Sequence, residues 1–235
     1  MRSRFAKFPI SGEIFFAGTR RESEQMSKLY VSNKDESARI FESDFLELFT
    51  HVHWSVPIIL YLPLVIALIA VTAANPALTG SEGVAYFVAG VFIWTLAEYL
   101  LHRFVFHYEP TSDLGKRIHF LTHGVHHDYP NDSKRLVMPP SVSIPLATLF
   151  YFFFLLLVGP DAVSPFFAGF ILGYIFYDEI HYATHHAPMK GKVGQFLKHH
   201  HVRHHYQEPD RRFGVSSPLW DHIFGTIEIQ EERTA

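Results

Sequence analysis

Four stretches of this chain carry almost no charge for long enough to cross a bilayer. Residues 54–74 (WSVPIILYLPLVIALIAVTAA) hold no charged side chain over 21 positions, and 136–158 run for 23 residues without one. Residues 84–106 are apolar except for Glu98, His102 and Arg103, and 162–177 are apolar up to Asp178, Glu179 and His181. About 20 apolar residues span the hydrocarbon core as helix, and ~17 suffice. The pattern therefore predicts helices at about 54–74, 84–106, 141–158 and 163–181. The links NPALTGSEG (75–83) and GPDA (159–162) are short and rich in turn formers, so the four spans pair as two helical hairpins. The predicted fold class is an all-α membrane protein with a cytoplasmic helical cap drawn from 107–140 and 182–230.

Ahead of the first span, Phe41, Phe45, Leu48 and Phe49 recur at helical spacing opposite Glu42, Asp44 and Glu47. Residues 39–49 are thus expected to form an amphipathic helix on the membrane surface leading into the first span, or an ordinary packing helix. The opening MRSRFAKF lacks the apolar run of a signal peptide, because Pro9, Ser11, Gly12 and Glu13 interrupt it. Residues 1–25 are weakly patterned, and Met26 is an alternative start. The domain reading is an N-terminal cytoplasmic segment at 1–40 and a single further unit at 41–230.

Charge orients the spans. All 20 Lys and Arg lie in 1–53, 103–135 and 182–235, and neither hairpin turn holds any. The positive-inside rule then puts both termini and the 107–140 loop in the cytoplasm. The formal charge of −3 offers no basic excess for nucleic-acid binding, and the absence of Cys excludes disulfides, iron–sulfur clusters and cysteine nucleophiles.

Histidine is the abnormal residue. There are 17, of which 14 lie between His102 and His205. Ten fall in four boxes: His102 and His107 (HRFVFH), His123, His126 and His127 (HGVHH), His181 and His185 (HYATH), and His201, His204 and His205 (HVRHH). Positions i, i+3 and i+4 share a helix face, so each HxxHH triplet is expected to aim at one point. His102 and His107 are five apart, so the helix is expected to end or bend between them. The topology brings all four boxes to one membrane boundary. Imidazole suits zinc, copper, iron and nickel. Ten ligands are too many for one tetrahedral ion and suit two metals of about five ligands each.

His51, His53 and His222 have no partner spacing, and His186, His199 and His200 adjoin boxes as outer supports or exposed residues. Only His201 completes the one-faced tail triplet. His119 stands four residues before His123 on the same face and is expected to support the second box. Glu98, one turn before His102 inside a span, is expected to orient a ligand histidine. Asp178 is expected to do the same for His181 or to hydrogen-bond a substrate. Transporters keep ionisable groups near mid-membrane, and no HExxH, GxSxG or P-loop motif is present. A metal pair at a bilayer edge suits O2 chemistry on a lipid.

The segments EYLLHRFVFH, HFLTHGVHHDYPNDSKRLVMPP, YDEIHYATHH, KHHHVRHH and FGVSSPLWDHIFGT resemble the fatty acid hydroxylase superfamily, most closely the sphingolipid fatty acid 2-hydroxylases. The resemblance runs from about Phe41 to Thr226. RLVMPP and FGVSSPLWD are its most specific parts, since HxxHH alone does not separate hydroxylases from desaturases. It implies a four-span enzyme whose two metals are held by the ten box histidines, and which uses O2 and two electrons to hydroxylate an acyl alpha carbon. It implies iron as the working metal, with zinc able to occupy the sites in isolated protein. Tyr174, Tyr177 and Asp178 match positions near the substrate's polar head. Yeast and animal members often carry a fused haem domain. Only about 50 residues precede the first span here, so the expected electron donor is a separate protein of the cytochrome b or ferredoxin/reductase kind. The expected location is the endoplasmic reticulum in a eukaryote or the inner membrane in a bacterium. A sterol desaturase, a carotenoid hydroxylase and a non-catalytic metal-binding membrane protein are the rival readings.

Overall fold

The computed structural model describes residues 29–227, which contain helices and no strand. The expectations for residues 1–25 and Met26 lie outside the described residues. Three helices are long and apolar enough to cross a membrane: α2 (Val56–Ala74), α3 (Gly80–Leu101, continued to Phe106 by a π turn) and α6 (Pro140–His186). Where four were expected, the last two form one 47-residue element with a break at Gly159 (φ 80°, ψ 171°). That backbone is open to glycine and strained for other residues. Ring pairs Phe150–Phe170 (4.9 Å), Tyr151–Phe167 (5.3 Å) and Phe154–Phe166 (4.7 Å) match residues symmetrically about the break. The two arms of α6 therefore fold back on each other as an antiparallel hairpin.

Local chemistry explains the helix starts. Thr79 and Glu82 form a reciprocal capping box on α3. Pro139 and Pro140 open α6, where a missing N–H costs nothing. The expected amphipathic helix at 39–49 shortens to α1 (Asp44–Leu48), capped by Ser43. Glu47 ends that helix's reach towards the N-terminus by turning inward: it accepts from the Ile40 and Phe41 N–H groups and pairs with buried Arg135 at 2.6 Å. Phe45, Leu48 and Phe49 stay exposed.

The centre of the bundle is where α3 meets the second arm of α6. A Cβ built on Gly90 would stand 1.9 Å from the Phe166 carbonyl oxygen, and one on Gly169 would stand 1.9 Å from that of Phe87. These two glycines let the helix backbones touch, as small residues do in membrane bundles. Trp94, Phe170, Tyr174 and Tyr177 pack around the crossing. The outward surfaces are apolar and exposed, with Leu156 86 % exposed, as a lipid-facing helix requires.

Beyond the spans lies the cap: α4 (Asp113–His119), a π turn at Phe120–Gly124, α5 (Val125–Asp128), α7 (Lys192–Tyr206) and α8 (Leu219–Ile223). The N-terminal strap is tied to it: the Val31 and Ser32 N–H groups donate to the Asp128 carbonyl, and Ser37 donates to Asp132 at 2.7 Å.

Candidate metal centre

The ten box histidines converge into two groups of five. The first holds His102, His107, His123, His127 and His204, and the second holds His126, His181, His185, His201 and His205. Within each group one ring nitrogen per residue lies within 4.8 Å of all the others.

The triplets do not aim at single points, as the sequence suggested. His123 and His127 face the first group while His126 faces the second. His201 and His205 face the second while His204 faces the first. On a helix, i and i+4 differ by about 40° and i+3 diverges by about 60° the other way. Each triplet thus stands between the two centres and serves both. The expected end or bend between His102 and His107 is a π turn at His102–Phe106, closed by the His107 N–H on the His102 carbonyl at 3.1 Å. A π turn closes i to i+5, which returns His107 to the side of His102.

The nitrogen spacings are informative. His123 Nε2 stands 3.1 Å from His102 Nε2, 3.1 Å from His107 Nε2 and 3.0 Å from His127 Nε2. In the second group His126–His181 (2.9 Å), His185–His201 (3.0 Å) and His201–His205 (3.0 Å) repeat the pattern, again between Nε2 atoms. One ring nitrogen cannot share hydrogen bonds with three others that are themselves lone-pair bearers. His102 is such a case, because its Nδ1 donates to the Phe213 carbonyl at 2.6 Å, leaving Nε2 as an acceptor. Lone pairs face one another, an arrangement that a cation relieves. Metal–imidazole bonds of about 2.1 Å at right angles put nitrogens about 3.0 Å apart. The donor set fits a metal ion in each group.

Burial keeps the imidazoles neutral and ready to ligate. It pushes His123, His126, His201, His204 and His205 well below the usual histidine range, helped by mutual repulsion within the cluster. His127 is lowered by the same causes to about 4.

Residues 87–226 match the family model for fatty acid hydroxylase. The chain belongs to the fatty acid hydroxylase family. It is 42 % identical over 193 residues to a dihydroceramide fatty acyl 2-hydroxylase of Arabidopsis thaliana, covering 82 % of this chain and 81 % of the relative. It is 42 % identical over 216 residues to the fatty acid 2-hydroxylase of Rattus norvegicus, covering 83 % of this chain and 57 % of that longer protein. Its fold is similar to a structure of full-length scs7p in which only the hydroxylase domain is visible. That match has a TM-score of 0.75 and 38 % identity, and covers 80 % of this chain and 71 % of the other.

Other residues of this hydroxylase take places that sequence reasoning foresaw only in part. Glu98 is buried but makes no direct bond to a histidine side chain. It accepts from the Val215 N–H (3.0 Å), the Ser216 N–H (2.8 Å) and the Ser216 hydroxyl (2.5 Å). The unpaired N–H groups of that turn supply the acceptor's partners in place of an imidazole. Asp178 makes no bond to the His181 ring: its partners are the Tyr174 hydroxyl and the Met138 backbone, and His181 leans on the Leu136 backbone. Asp178, Tyr174 and Tyr177 are buried together beside the second group, with Tyr177 stacked on His181 at 5.8 Å. His119 is half-buried near His107 and His127 and stands outside both groups. His186 and His199 are exposed, whereas His200 is buried between Asp221 and Arg212.

An apolar groove of ≈ 560 Å³ runs between α2 and the first arm of α6, with Leu64, Tyr151 and Phe167 in its walls. Its wall residue Tyr61 donates to Ser143 at 2.9 Å and meets Tyr174 edge-on at 5.3 Å. The residues missed by sequence reasoning are Ser143, Ser216 and Asp221. The last two lie inside FGVSSPLWD, whose local specificity was the available signal.

Proposed function

We propose that this hydroxylase inserts one oxygen atom of O2 at the alpha carbon of a fatty acyl chain in a membrane lipid, a sphingolipid or ceramide. The other oxygen atom leaves as water, with two electrons from a separate donor protein of the cytochrome b or ferredoxin/reductase kind and two protons. The observation that carries this is the pair of five-imidazole groups beside a buried Tyr174–Tyr177–Asp178 cluster. The Arabidopsis relative's name supports a dihydroceramide acyl chain as the substrate class.

Each group would hold one ion, iron for activity, with zinc able to take the same positions. When bound, the pair supplies O2 activation and cleavage of the alpha C–H bond. The protein does the rest. The ten imidazoles would hold the two ions, five to each. Asp178 and the Tyr174 hydroxyl, a buried pair, would hydrogen-bond the lipid's amide or hydroxyl. The α2/α6 groove takes the acyl tail, and the packed aromatics around Trp94 keep water from the reacting carbon.

The two arms of α6, with α2 and α3, make four crossings, with both termini and the cap in the cytoplasm. The distribution of Lys and Arg supports that orientation. In this Cys-free chain, cysteines introduced at Ser81 and Ser133 should label from opposite sides of the membrane. Labelling from one side would contradict it.

The activity is tested by expression in a host lacking 2-hydroxy lipids, with a compatible reductase. Lipid mass spectrometry should find acyl chains heavier by one oxygen atom. Chains lighter by two hydrogens would move the protein to the desaturase reading. An unchanged lipid profile, with no oxygen consumed, would favour a metal-binding protein without catalysis.

A further inference from the structure

Residues 211–216 form a short frame that touches only one of the two histidine groups. The Arg211 carbonyl accepts from His204 Nδ1 and the Phe213 carbonyl from His102 Nδ1, both at 2.6 Å. Each carbonyl fixes its imidazole so that Nε2 faces the first group. The frame hangs on two buried carboxylates. Asp221, 0 % exposed, accepts from the Phe213 and Gly214 N–H groups at 2.8 Å each. Glu98 accepts from the next two N–H groups, those of Val215 and Ser216. Four successive backbone donors are thereby clamped by two side chains from different helices.

The clamp is tightly built. Thr226 donates to Asp221 at 2.7 Å, and His200 Nε2 stands 3.1 Å from Asp221 Oδ2. A Cβ on Gly214 would lie 2.1 Å from the Ser217 carbonyl oxygen and 2.8 Å from Asp221 Oδ2, so only glycine lets the chain lie this close. The second group has no such frame. The Nδ1 atoms of His126, His201 and His205 are buried without a hydrogen-bond partner, and His181 leans on the Leu136 backbone, which no carboxylate clamp is seen to hold.

We infer that Asp221 and Glu98 are positioning residues for the first metal position alone, acting through the backbone of 213–216, so that the two positions are held by unequal means. The inference rests on reading the two groups as metal positions.

The test measures metal per chain by plasma mass spectrometry in full-length, detergent-purified protein. His107→Ala and His185→Ala come first, because each removes a ligand from one group. If neither changes the metal content, the metal-centre reading fails before the frame is tested. Asp221→Asn, which exchanges an acceptor oxygen for a donor, is then expected to lower the content by about one ion per chain. Combined with His107→Ala it should cause no further loss, because both act on the same position. Combined with His185→Ala it should leave almost none. This non-additivity separates a positioning role from general destabilisation. Retention of both ions in Asp221→Asn, loss of both, or further loss in its His107→Ala combination would overturn the inference. Should Asp221→Asn fail to yield monodisperse protein, Glu98→Gln takes its place in the same cycle with the same outcomes.

Discussion

Replacing His201 by alanine is expected to abolish product formation, lowering turnover by at least ~100-fold, while the chain still inserts in the membrane. His201 stands 3.0 Å from both His185 and His205 through its Nε2 and is 0 % exposed, so its loss opens the second group at its centre. Metal content should fall by about one ion per chain. The neighbours separate ligation from folding. His199→Ala should change neither quantity, because that ring is exposed. His200→Ala should lower the unfolding temperature instead. It strips buried Asp221 and Arg212 of a shared partner, an effect of about 1–3 kcal/mol. Metal content, membrane fraction and thermal unfolding, measured on all three variants, check the set. A dead, metal-poor His199→Ala would mean that the tail register is wrong.

The second large effect is expected far from the histidines. Gly90→Ala or Gly169→Ala places a methyl group 1.9 Å from a backbone carbonyl oxygen of the facing helix. No rotamer change relieves a contact with backbone, so α3 and α6 must move apart. Overpacking of this kind costs about 3 kcal/mol. The displacement also reaches the metal centre. Glu98 and His102 lie on α3 about 12–18 Å along from Gly90 at the helical rise, and Asp178 and His181 stand on the partner arm. Both variants should therefore lose most activity along with thermal stability. Gly80→Ala, where a Cβ meets nothing within 4 Å, should leave both unchanged. Thermal unfolding in detergent and product assays on the three proteins check this, and full activity in Gly90→Ala would contradict the close crossing.

Much of this arrangement is legible along the chain. The apolar stretches mark the long helices because a lipid-facing helix leaves no room for charge, and the four boxes stand out because ligation needs so many imidazoles. Three features are not legible. The π turn at His102–Phe106 depends on a change of hydrogen-bond register that no residue type dictates. The division of each HxxHH triplet between two centres depends on what stands on either side of the helix. The partners of Glu98 lie 117 and 118 residues away, so a span carboxylate next to a ligand reads as that ligand's acceptor until the chain is folded. Asp178 illustrates the same limit, since one turn from His181 is close in sequence yet the two side chains do not bond.

The most direct test of the central claim is the origin of the new oxygen. Membranes containing the protein, a reductant system and a lipid acyl substrate are incubated under isotopically heavy O2 in ordinary water, and the product is weighed by mass spectrometry. The account predicts a 2-hydroxy acyl lipid carrying one heavy oxygen atom, and no such product from His181→Ala. A hydroxyl oxygen derived from water, or hydroxylation at a carbon other than alpha, would contradict it.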